Sequence, residues 1–190
     1  RRLLGLCMQR YYYASAIADF LLEDESSILG KLAAANEFSL LKTQRDAWVH
    51  QIPILKESLA GLTGHLCLEY TIPRMGRRID AVIIDGPVIY VVEFKIGESE
   101  VNRNDLDQVC DYALDLQNFH GPSHHCFLVP ILIPSNLKAT AHQLTPQLNK
   151  ANLFDPIACP PALLHSLLKQ IRQITHGQAI NAAEWLSGRY

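Results

Sequence analysis

Apolar positions along the chain follow two periods, one helical and one extended. From Thr43, which with Asp46 resembles a helix start, Trp48, Ile52, Leu55, Leu59 and Leu62 form one stripe at helical spacing. Pro53 lies inside it and is expected to kink or split the helix; Gly61 and Gly64 end it. Upstream, residues 15–35 read as helix broken near Ser26 and Ser27. Three extended runs follow, "HLCLEYTIP" (65–73), "IDAVIID" (79–85) and "VIYVVEFKI" (88–96), separated by "RMGRR" and by Gly86-Pro87. Residues 105–119 return to the helical period through Leu106, Val109, Ala113 and Leu116, without Gly or Pro. "CFLVPILI" (126–133) reads as a buried strand in which Pro130 predicts an edge position or a bulge. A helix follows Pro160-Pro161 and closes at Gly177, and "AINAAEWLSG" (179–188) is a last helical piece.

A meander of three strands, a crossover helix and a further strand predict an α/β fold with a mixed sheet of about four strands. Residues 1–36 form an N-terminal helical segment, residues 37–150 the core, and residues 151–190 a C-terminal helical extension, with 150–162 as the best candidate linker. The chain has 190 residues, 48% of them hydrophobic, enough for one compact domain. With 17 Lys and Arg against 19 Asp and Glu, the net charge is about −2, so any polyanion must be met by a local basic cluster. The five cysteines are scattered without a CxxC pair, which suggests free thiols in a reducing, cytoplasmic setting. "RRLLGLC" is too short for a signal peptide, Met8 is a candidate natural start, and no apolar run is long enough for a membrane span.

Three charges stand in the apolar strands: Asp80 in the second, Glu93 and Lys95 in the third. Unpaired, each would cost several kcal/mol. Glu93 and Lys95 are two apart and share a face, and the tight turn sets Asp80 roughly level with Glu93. That places the carboxylates within about 4–6 Å, close enough to share one divalent cation. Two oxygen ligands, a backbone carbonyl and waters suit Mg²⁺ or Mn²⁺, and an adjacent ammonium can orient an attacking water or stabilise an oxyanion. A plain Lys–carboxylate pair at a fraying strand end satisfies the same residues.

The strand–turn–strand "RID…VVEFK" resembles the core of the PD-(D/E)XK nuclease superfamily, with "RID" replacing the usual "PD". "QVCDY", Gln108 to Tyr112 on the following helix, is similar to the QxxxY motif of RecB-like members. The resemblance spans about residues 37–133. It implies a restriction-endonuclease-like αβββαβ core and a Mg²⁺- or Mn²⁺-dependent deoxyribonuclease. Asp80 and Glu93 would hold metal, Lys95 would act beside them, and Gln108 and Tyr112 would complete the site. The run "IPRMGRRID", "EFK", "DQVCDYALDL" also resembles an uncharacterised bacterial family in which such a domain precedes a helicase domain. A longer helicase-associated protein is then expected, because this chain has no P-loop. The alternative is an inactive nuclease-like module that binds nucleic acid or a partner domain.

The superfamily often adds another acid. Glu37 is the first candidate, Glu69 on the first strand of the meander the second, and Glu57 is also in range. Arg74, Arg77 and Arg78 cluster before Asp80 and are candidates to hold DNA phosphates, with Arg103 a weaker member. Glu98 and Glu100 read as solvated loop residues, and His124, His125 and Cys126 as a loop pair with a core thiol rather than a metal set. His120 has no feature that singles it out, and Tyr11, Tyr12 and Tyr13 read as packing residues before base-stacking ones.

Overall fold

The computed structural model describes residues 9–36, 42–140, 144–149 and 151–190. Its elements in chain order are β1 (Tyr13–Ala16), α1 (Ile17–Leu22), α2 (Glu25–Ala35), α3 (Lys42–Leu59), β2 (His65–Ile72), β3 (Arg77–Asp85) and β4 (Val88–Lys95). Then come α4 (Arg103–Phe119), β5 (Phe127–Pro134), β6 (Ile157–Ala158), α5 (Leu164–Ile174) and α6 (Ala182–Ser187). The stretch α3–β2–β3–β4–α4–β5 follows the expected αβββαβ order. The sheet has six strands in the order β1-β2-β3-β4-β5-β6, not about four. Pairings are antiparallel from β1 to β4 and parallel from β4 to β6.

Both extra strands come from segments whose apolar patterns are too short to read as strands. β1 spans four residues at the start of the expected helix, and Asp24, not Ser26, precedes α2. β6 spans two residues within the expected linker, where Leu153, Phe154 and Cys159 are also buried. Pro130 therefore lies in an inner strand, and parity explains its tolerance. Leu128 donates its N–H to Asn152 on the β6 side, so Pro130, two residues on, turns its missing N–H toward that short outer strand. Pro53 does not split α3; it sits on the exposed side, where the carbonyl it leaves without a partner reaches water.

Each sheet face is covered by helices. On one, Leu66, Leu68, Ala81, Ile83 and Val92 meet Ile17, Phe20, Ile28 and Leu32 of α1 and α2, Trp48, Ile52 and Leu55 of α3, and Leu164 and Leu167 of α5. On the other, Tyr70, Val82, Ile84 and Val91 meet Val109, Tyr112 and Leu116 of α4 and Trp185 of α6. The sheet is thus buried on both sides, at ~1.5–3 kcal/mol per large apolar side chain. Gly64 lets the chain enter β2: its φ is +110° and a Cβ there would stand 2.1 Å from the Ile84 carbonyl oxygen.

The side-chain alternation slips at one level of the sheet. Leu66 and Leu68 face α3 and Cys67 faces α4; beyond Glu69, Tyr70 and Ile72 face α4. β3 does the same around Asp80, since Val82 and Ile84 face α4 and so does Ile79. Glu69 has φ +54°, a left-handed conformation that costs a non-glycine residue about 1–2 kcal/mol. Both strands therefore break their alternation at the level of Glu69 and Asp80 while keeping one register.

Candidate active site

The pairing of β2 with β3 sets Leu68 opposite Ala81 and Tyr70 opposite Ile79, so Glu69 and Asp80 share a level. The pairing of β3 with β4 ends at Ala81 opposite Val92, one step before Asp80 and Glu93. Asp80 Oδ2 instead accepts the backbone N–H of Phe94 at 2.8 Å. Three acids, one per strand, thus stand in a row where β3 and β4 part. A cleft of about 390 Å³ opens there. Asp80, Glu69 and Glu93 line it with Trp48 and Gln51 from α3, Arg77 and Arg78 from β3, and Gln108 and Tyr112 from α4.

Lys95, Gln108 and Tyr112 form a connected set around Glu93. Lys95 Nζ lies 3.4 Å from Glu93 Oε1, 3.3 Å from Gln108 Oε1 and 3.2 Å from Asp105 Oδ1. Gln108 Nε2 donates to Glu93 Oε1 at 3.3 Å and to Tyr112 Oη at 2.5 Å. The one-turn spacing of Gln108 and Tyr112 makes this possible, because i and i+4 stack on one helix face. Tyr112 is buried and holds the amide from below.

The charges are under electrostatic load. Burial first, then the negative charges of Glu93 and Glu69, push the Asp80 carboxyl well above its ordinary range. Burial pushes Glu93 up to about 7 despite the pull of Lys95. Burial alone would lower Lys95, but Glu93 and Asp105 outweigh it, and its pKa is raised. Lys95 is therefore a fixed ammonium, suited to holding or donating a proton and poorly suited to removing one.

Two of the carboxylates offer oxygens that suit a divalent cation. Glu93 is 7% exposed, and its Oε2 is buried without a hydrogen-bond partner. An ionised oxygen in that state is costly unless a cation or donor meets it. Asp80 stands beside it and is repelled by it. These two carboxylates fit a hard divalent ion that keeps several waters. Among the described residues, however, no three His, Cys, Asp or Glu side chains are gathered to hold a metal. Glu69 is turned to other partners: its Oε1 accepts from Trp48 Nε1 at 2.8 Å and its Oε2 from Arg78 Nε at 2.8 Å.

Other sequence candidates lie elsewhere. Arg74 does not line the cleft; its Nε is 3.7 Å from Asp115 Oδ2 and its guanidinium lies over the Phe119 ring, both on α4. Glu57, Glu98, Glu100 and Arg103 are exposed and do not line the cleft. Glu37 lies outside the described residues. Cys126 is buried and donates to the Pro122 carbonyl, and His124 and His125 are exposed beside it. His120 is fully buried, bonded to Ser123 and stacked edge-on with Trp185. The sequence reading missed Gln51, buried on the apolar stripe of α3, and Asp105, the second anchor of Lys95. A polar residue one turn from Trp48 on an otherwise apolar face was the available signal for Gln51.

Compared with protein-family models, curated proteins and solved structures, the chain matches none. Among the described residues, no helix is long and apolar enough to cross a membrane.

Proposed function

We propose that this chain is a metal-dependent nuclease of the PD-(D/E)XK type that hydrolyses DNA phosphodiester bonds, acting within a larger helicase-associated protein. The observation that carries the reading is the convergence of five motif residues. Asp80, Glu93, Gln108 and Tyr112 line one cleft, and Lys95 is bonded to Glu93 and Gln108 at its wall. These residues come from separate motifs on β3, β4 and α4, so their meeting is not a consequence of adjacency in sequence.

Asp80 and Glu93 would hold Mg²⁺ or Mn²⁺, the buried Oε2 of Glu93 being the oxygen in need of a cation. When bound, such an ion supplies Lewis acidity toward a phosphate oxygen and eases ionisation of a water. Lys95, kept protonated by Glu93 and Asp105, places positive charge where negative charge grows on the reacting phosphate. Gln108 fixes Lys95 and Glu93 relative to each other, and Tyr112 fixes Gln108. Arg77 and Arg78, at the rim, are placed to take backbone phosphates.

The test is a cleavage assay with Mg²⁺ or Mn²⁺ on single-stranded DNA, duplex DNA and RNA, comparing wild type with Asp80→Ala and Lys95→Ala. Cleavage by wild type alone is expected; equal cleavage by all three proteins refutes the assignment. A second reading, a nuclease-like module that binds nucleic acid or a partner domain without cutting, draws on one observation. Among the described residues a third acid is not gathered at the metal position. Absence of both Mn²⁺ uptake and cleavage on every substrate would favour it.

A further inference from the structure

Glu69 stands level with Asp80 on the neighbouring strand, and Asp80 stands level with Glu93 on the next. Its charge acts on both of them. Yet its two oxygens are occupied, one by the Trp48 indole N–H and one by the Arg78 guanidinium, each at 2.8 Å. The two partners differ in kind. Trp48 is buried, 2% exposed, and anchored in the α3 core. The Arg78 side chain is 34% exposed, lines the cleft and lies over the Tyr12 ring at 4.9 Å. Beside this row sits the buried, partnerless Oε2 of Glu93, which independently calls for a cation.

On the nuclease reading above, we infer that Glu69 is a third metal-binding carboxylate, held away from the ion by Arg78 until a substrate phosphate draws the guanidinium off. Arginine exchanges a carboxylate for a phosphate with little loss, because its planar donor fork fits both. The Trp48 bond keeps the Glu69 side chain in place during the exchange, so only Oε2 changes partner. Glu69 lines the same cleft as Asp80 and Glu93, and its left-handed backbone lies at the level where the alternation of both strands breaks. Nucleic acid and metal would then strengthen each other's binding. An empty cleft would hold its ion loosely with two carboxylates, and a loaded cleft tightly with three.

The test measures Mn²⁺ affinity of the whole chain by calorimetric titration and by the paramagnetic signal of free Mn²⁺, with no cleavage readout. Arg78→Gln should bind Mn²⁺ about tenfold more tightly than wild type, in the usual range of site–site coupling. Glu69→Gln in that background should abolish the gain. In wild type, a short phosphorothioate oligonucleotide should raise Mn²⁺ affinity, and Mn²⁺ should raise oligonucleotide affinity by the same factor. This arm needs no variant, so it stands even where Arg78→Gln folds poorly. Unchanged Mn²⁺ affinity in Arg78→Gln, with Asp80→Ala still abolishing binding, overturns the role of Glu69 and leaves the two-carboxylate site intact. Equal Mn²⁺ binding by Asp80→Ala and wild type overturns the metal site itself, and this inference with it.

Discussion

Replacing Glu93 with glutamine should stabilise the metal-free protein, and by an amount that depends on pH. The carboxyl is buried, and its pKa is pushed up from 4.5 to about 7. In the unfolded chain it ionises near its ordinary value, so between these two pH values the folded form holds a proton that the unfolded form has lost. Folding stability contributed by this group is thus fully present below about pH 4.5 and is lost as the pH rises through about 7. At about 1.4 kcal/mol per tenfold in proton affinity, the full loss is about 3 kcal/mol. Glutamine keeps the shape and never ionises, and Lys95 retains Asp105 at 3.2 Å and Gln108 at 3.3 Å. For a chain of this size, ~2–4 °C per kcal/mol translates the difference into a Tm gain of roughly 6–12 °C at pH 8. The gain should shrink to near zero at pH 4.5. The assay is differential scanning calorimetry in EDTA at half-unit steps from pH 4.5 to 8.5. Adding Mn²⁺ should then raise the Tm of wild type above that of the variant. A Tm difference that is constant across pH, or a variant less stable at pH 8, refutes the electrostatic account of the site.

Other consequences can be checked separately. Gly64→Ala adds a Cβ 2.1 Å from the Ile84 carbonyl oxygen at φ +110°, and should destabilise by about 3 kcal/mol or more in chemical denaturation. Trp48→Phe leaves Glu69 Oε1 without its buried donor, which should cost about 1–3 kcal/mol at neutral pH, measured by urea unfolding. Lys95→Met should abolish cleavage while changing Tm little, since its ammonium is partly exposed; a parallel loss of fold by circular dichroism would contradict a role in the chemistry.

The order of the core elements, and the residues that come together in the cleft, were largely legible from the chain alone. Long periodic stripes such as Trp48–Leu59 and Leu106–Leu116 are read reliably because burial of one face repeats at the helical period. Asp80, Glu93 and Lys95 were visible because charges in apolar strands are expensive and so call for a reason. The strand count was out of reach. β1 and β6 span four and two residues, too few for a pattern, and exist because the edges of the central sheet hold them. The partners of the arginines were equally hidden. Arg74, Arg77 and Arg78 are near neighbours in sequence, yet one is drawn to Asp115 and one to Glu69, while Arg77 stays at the cleft rim. That Glu69 meets Arg78 and Trp48 is likewise settled by the folded chain and not by any local pattern. That outcome depends on a left-handed residue and a break in side-chain alternation that both strands share while their register holds, neither of which a one-dimensional period of two can express.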